Sequence, residues 1–122
     1  MAMPIEACFS LLARERQDEI VVTSAGNSSE VWWELTRELE STFYLEASMS
    51  LSTMFAAGMA LSYPKARFWA FLGDGAFVMN PGLLFVEREL SLPNLVTILV
   101  ANRCYGATGA VDLPLGAEID FA

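Results

Sequence analysis

Asp74 sits between two glycines at the end of an apolar run, in FLGDGAFVMN (71–80). Glycine turns and helix starts present backbone N–H groups that hold phosphate without a lysine. A carboxylate among such groups repels phosphate unless a cation lies between them, and a hard oxygen ligand there fits magnesium bridging to a diphosphate. Asn102 supplies a second oxygen donor. It follows the next apolar run, NLVTILVA (94–101), with 26 residues (76–101) between it and Gly75. A loop, a helix and a strand fill that interval, which predicts Asp74 and Asn102 side by side. Taken singly, each also suits an ordinary turn or strand end.

Composition removes competing chemistries. The chain has no histidine and two cysteines, so neither a Ser-His-Asp nor a Cys-His nucleophile can be assembled from it. Histidine-held zinc and a cysteine-only structural zinc site are excluded on the same ground, leaving oxygen-bound magnesium or calcium. The net charge of −8, with no basic cluster, excludes a nucleic-acid surface. The apolar stretches 51–62 and 94–101 are too short to span a bilayer, and Glu6, Arg14 and Arg16 interrupt any signal-like opening. Cys8 and Cys104 lack framework spacing, so a cytoplasmic protein without membrane partners is expected. With 122 residues, 54 % hydrophobic and 18 % charged, the expectation is one domain (1–122) whose surface is partly covered by another subunit.

The elements that must position these residues follow from periodicity. Residues 4–16 read as a helix with Ile5, Cys8, Phe9 and Leu12 on one face. Strands are predicted over 19–25, 42–47, 67–72 and 94–101. Asn27 and Glu30 have capping-box spacing for a helix with Val31, Leu35 and Leu39 inward. A small-residue helix covers 50–62 and stops at Pro64, and Asn80-Pro81 open another through Leu90. Of the adjacent Trp32 and Trp33, one must point away from the core, as an interface anchor or a plain surface residue. The alternation predicts an α/β fold, a parallel sheet wound with helices on both faces. Ligands then belong at the strands' carboxyl ends, in loops 24–29, 73–80 and 102–109. EIDFA (118–122) reads as a helix just starting, so the domain reads as truncated at its C-terminus.

GDG, the 26-residue interval and Asn102 together resemble the cofactor motif of thiamine diphosphate-dependent enzymes. That motif normally ends in paired asparagines; Ala101 occupies the first of those places here. The resemblance implies thiamine diphosphate and Mg2+ as cofactors, with the side chains of Asp74 and Asn102 and the backbone carbonyl of Cys104 as metal ligands. SAGNSSEVWWEL (24–35) resembles the segment that touches the diphosphate, which implies contacts from Gly26, Asn27 and Ser28, and Gly73, Gly75 and Ala76 join them. FYLEASMSLSTMFAAGMALS (43–62) resembles the segment whose apolar wedge bends the cofactor, here Met49, with the Ala47 carbonyl facing the aminopyrimidine. Ala47 and Ser50 replace the two glycines usual there. MPIEACFSLLARERQDEIVVTSAG (3–26) and NRCYGATG (102–109) look most like the β-subunit type of sulfopyruvate and phosphonopyruvate decarboxylases, which adds Tyr105 and Gly106 to the cofactor-binding set.

On that resemblance the chain is the diphosphate-binding half of a decarboxylase (a lyase) acting on a small 2-oxoacid. A separate pyrimidine-binding subunit completes the hetero-oligomer and contributes the activating glutamate, so no catalytic residue is expected in this chain. Glu46, Glu87 and Glu118 are expected to be surface or structural. An acetolactate synthase-like carboligase subunit, or a non-catalytic module of the thiamine fold, remains open as an alternative.

Overall fold

The protein is described by a computed structural model covering residues 3–121. Its elements, in chain order, begin with α1 (Ile5–Glu15), β1 (Ile20–Thr23), α2 (Asn27–Thr36), β2 (Thr42–Tyr44) and α3 (Ser52–Ser62). They continue with β3 (Phe68–Gly73), α4 (Asp74–Met79), α5 (Leu83–Leu90) and β4 (Leu95–Val100). A hairpin of β5 (Cys104–Tyr105) and β6 (Val111–Asp112) follows, the two joined through a 3-10 turn, Gly106–Thr108.

The four long strands form one parallel sheet in the order β2-β1-β3-β4. Val21 pairs with Thr42 on one side and Trp69 on the other, while Gly73 pairs with Val100. Side chains alternate across the sheet, so Val21, Trp69 and Phe71 share one face and Val22 and Ala70 the other. The first face is aromatic. Phe9 of α1 stacks on Phe71 with ring centroids 4.7 Å apart, and Trp32 of α2 meets Phe71 edge-on at 5.1 Å. The buried Trp32 indole donates to Thr42 Oγ1 at 3.2 Å, which satisfies its only polar atom. On the opposite face Ala56 of α3 packs against Val22 and Ala70, because alanines let a helix lie close to the strands. Ser52 Oγ donates to the Phe71 carbonyl (2.8 Å) and fastens α3 to β3. The expected sheet with helices on both faces is present.

Several local expectations need correction. Asn27 does not cap α2: Gly26 is the N-cap, at φ 87°, and no side chain bonds there. Val31 packs against the core as expected, but the buried residues of α2 are Ser28, Ser29 and Trp32, while Leu35 and, beyond the helix, Leu39 are exposed. The hydroxyls explain this, because Ser29 Oγ shares a 2.5 Å hydrogen bond with Thr23 Oγ1 and donates to the Ser24 carbonyl at 2.7 Å. The predicted loop 73–80 is mostly helix, with α4 starting directly at Asp74, and α5 begins at Leu83 rather than at Asn80. Residues 118–121 form no helix, and Ala122 lies outside the described residues. Trp33, the outward tryptophan, is covered by Tyr44 (5.9 Å, edge-on) and by the Arg37 guanidinium (5.1 Å).

Candidate functional site

The chain leaves β1 in one direction to form β2, then crosses β1 to form β3 on its other side. This reversal puts a crevice between the carboxyl ends of β1 and β3, where wound α/β sheets bind their ligands. A cavity of about 240 Å³ lies there. Its wall brings together nearly every residue singled out in the sequence: Gly26, Asn27, Ser28, Met49, Gly73, Asp74, Gly75, Ala76, Asn102, Cys104, Tyr105 and Gly106. Ala47 is the exception; it is exposed and does not line the cavity. Ser24, Ala25, Ala107 and Thr108 line it too and were not singled out, although they fall within the expected loops. Ile5 and Val100 also contribute, and nothing in their apolar character separates them from the core in the sequence.

Asp74 follows β3 as the first residue of α4 and is 2 % exposed. Its Oδ1 accepts the Gly75 N–H (2.8 Å) and its Oδ2 the Arg103 N–H (2.5 Å). Among the described residues no lysine or arginine side chain pairs with it. Burying a carboxylate this deeply is unfavourable without charge compensation, and two amide dipoles compensate only in part. The Gly75 N–H is therefore turned onto its neighbour's carboxylate, leaving Ala76 as the first-turn amide of α4 without an acceptor inside the helix.

Asn102 lies just past β4, and its Oδ1 accepts the Cys104 N–H at 3.1 Å. Cys104 stands opposite Asp112, between Arg103, whose carbonyl accepts the Leu113 N–H, and Tyr105, which pairs with Val111. Alternation along the hairpin turns the backbone groups of Cys104 away from β6, toward Asn102. The donors gathered at this crevice are thus a carboxylate, a side-chain amide and a backbone carbonyl. All are hard oxygens, the set that magnesium takes. No cluster of three or more His, Cys, Asp or Glu capable of holding a metal occurs among the described residues, so a cation here would rely on mixed side-chain and backbone donors.

Two glycines shape the cradle. A Cβ on Gly106 would meet the Asn27 Nδ2 at 2.9 Å and the Asn102 Nδ2 at 3.1 Å, so both amides crowd its bare Cα. A Cβ on Gly75 would fall 2.8 Å from the Tyr105 ring, which lies over the Asp74-Gly75 turn. Met49 borders the cavity from the segment before α3. Ser50 next to it is held at φ 80°, the backbone geometry that glycine adopts without strain. Glu46 and Glu118 are exposed, and Glu87 accepts a hydrogen bond from Thr97 (2.7 Å) away from the cavity.

Residues 24–120 match the family described as thiamine pyrophosphate enzyme, C-terminal TPP binding domain, and the chain belongs to that family. The resemblance read from GDG and Asn102 is thereby borne out. Within the family, it is 36 % identical over 99 residues to the sulfopyruvate decarboxylase of Methanosarcina acetivorans, covering 81 % of this chain and 25 % of that protein. It is 34 % identical over 94 residues to the sulfopyruvate decarboxylase subunit beta of Methanothermobacter thermautotrophicus, covering 77 % and 50 %. For the Methanococcus maripaludis subunit beta the figures are 35 % over 92 residues, covering 75 % and 49 %. The chain thus spans between a quarter and a half of the length of these relatives. No helix among the described residues is long and apolar enough to cross a membrane.

Proposed function

We propose that this single domain is the diphosphate- and magnesium-binding unit of a thiamine diphosphate-dependent 2-oxoacid decarboxylase, completed by a separate pyrimidine-binding subunit. The observation that carries this reading is the buried carboxylate of Asp74, without a cationic side chain, at the crevice where Asn102 and Gly106 meet. Asp74, Asn102 and the Cys104 carbonyl hold the magnesium ion. The metal offsets the charge between Asp74 and a diphosphate. The start of α2, with Asn27 and Ser28, and the Ala76 amide would hold the diphosphate. Met49, which lines the cavity, would serve as an apolar wedge against the cofactor. The cofactor, once bound, supplies an electron sink for the carbon that loses carbon dioxide.

The two relatives named as subunit beta support the two-subunit arrangement, and the name sulfopyruvate decarboxylase that all three carry supports decarboxylation of a small 2-oxoacid. No lysine or arginine lines the cavity, and the guanidinium of nearby Arg103 is engaged by the Gly116 carbonyl. Recognition of an anionic substrate therefore falls to the partner. A cytoplasmic setting fits the two free cysteines, Cys8 and Cys104.

Calorimetric titration with thiamine diphosphate and magnesium tests the reading. Wild-type chain is expected to bind the pair, with Asp74→Ala weakening binding by at least about a hundredfold and Asn102→Ala by about tenfold, in line with the loss of metal ligands and their supports. Equal binding by all three proteins overturns the assignment.

A further inference from the structure

Arg103 is neither a sequence-predicted ligand nor a cavity-lining residue, yet it lies between Asn102 and Cys104. It is held in the left-handed region, at φ 63°, where a non-glycine residue is strained. A conformation of this kind persists only when its surroundings fix it. Three bonds do so here. Its N–H donates to Asp74 Oδ2 at 2.5 Å, its carbonyl accepts the Leu113 N–H at 3.1 Å, and its guanidinium donates to the Gly116 carbonyl.

The far side of this junction is equally tight. Leu113 is buried, and the Gly116 N–H donates to its carbonyl at 3.0 Å. A Cβ on Gly116 would meet Leu113 Cβ at 3.0 Å and the Arg103 carbonyl at 3.4 Å, so the 113–116 turn presses directly on Arg103. The backbone of one residue thereby links the buried carboxylate to a turn ten residues further on. Asn102 and Cys104 are its immediate neighbours and cannot move independently of it.

We infer that Arg103 is a positioning residue for the metal site, its side chain locking residues 102–116 so that Asn102 and the Cys104 carbonyl are set before a cation arrives. This rests on the proposed magnesium site and names what organises it. The guanidinium, usually read as an anion-binding group beside such a crevice, acts on the chain's own carbonyl instead. Groups one step removed from a metal commonly change its affinity by ten- to a hundredfold.

The test uses three proteins: wild type, Arg103→Ala and Arg103→Lys. Alanine keeps an L-residue at the same φ and removes only the guanidinium bond, whereas lysine retains one donor. Magnesium is titrated at saturating thiamine diphosphate, thermal unfolding is recorded without metal, and amide exchange is followed over 103–116. The expected result for Arg103→Ala is about tenfold weaker magnesium binding and faster exchange in 103–116, with the unfolding midpoint nearly unchanged. Arg103→Lys is expected to recover part of the affinity. Wild-type magnesium affinity in Arg103→Ala overturns the inference while leaving the site assignment intact, as does a loss that merely tracks a lowered unfolding midpoint. A wild-type chain that binds no magnesium overturns both.

Discussion

The two strand ends that supply the candidate metal ligands are built in opposite ways. After β3 the chain passes straight into α4, so Asp74 is the first residue of a helix that begins where the strand stops at Gly73. Phe68, Ala70, Phe71 and Leu72 before it are all buried, with Phe71 between Phe9 and Trp32. After β4 the chain enters an irregular stretch that is largely exposed, and β4 itself is half-buried along most of its length. Asp74 follows a packed strand, whereas Asn102 accepts the Cys104 N–H and adjoins Arg103, which bonds to Asp74 and Gly116. A close-packed core resists displacement in every direction, whereas a hydrogen-bonded strap can yield. On the proposed metal site, the β3 end would set its position and the β4 end how well its ligands are preorganised.

The largest effect separating the two ends is expected from Phe71→Ala. Removing an aromatic ring from the centre of the core costs about 3–5 kcal/mol. Urea unfolding should record that loss, and a cost below about 1 kcal/mol would mean that packing does not fix the β3 end. A smaller effect is expected where the two ends touch. Gly75→Ala drives a methyl group into the Tyr105 ring and costs about 1–3 kcal/mol, the usual range for overpacking. The added change Tyr105→Ala should return part of it, giving a measurable coupling in a double-mutant cycle. Additive costs would show that the ring does not bear on the turn.

The smallest effect belongs to a contact remote from both ends. The Arg67 guanidinium bonds to Asp18 and holds its carboxyl below the ordinary value. A depressed folded-state pKa stabilises above the unfolded value and loses that contribution as pH falls through the folded one. Arg67→Gln should therefore raise the Asp18 pKa toward 3.8, observed by NMR titration. Asp18→Asn removes only the exposed pair and leaves the contact of Arg67 with the buried Glu19 (3.2 Å) in place, so the stability of that variant at neutral pH should scarcely change. A large loss there would place more of the sheet's stability at the edge than the core-centred comparison allows.

Much of the site was readable in the sequence because its signals are local. The apolar run before Gly73 and the one before Asn102 each specify a buried strand, and their spacing leaves room for one crossover. Errors arose where local preference met a tertiary competitor. Asn27 and Glu30 have the spacing of a cap, but Gly26 takes the cap position and Asn27 turns its amide toward Gly106. Leu35 and Leu39 are apolar enough to be core, yet Ser28 and Ser29 are buried instead, and Thr23 and Ser24 offer the Ser29 hydroxyl its partners. Helix α4 escaped notice because glycine at its second position argues for a turn.

The sequence by itself determined the class of fold, the two candidate side chains for a hard cation, and the lack of any histidine-based nucleophile. Those follow from residue type and from periods of two and 3.6, which depend on neighbours along the chain. Only the tertiary structure decided the strand order β2-β1-β3-β4, and with it the crevice between β1 and β3. It alone decided that Arg103 joins Asp74 to Gly116, since that link forms between residues 29 and 13 positions apart. Contacts across such separations depend on which elements pack together, and no local pattern in the chain records them.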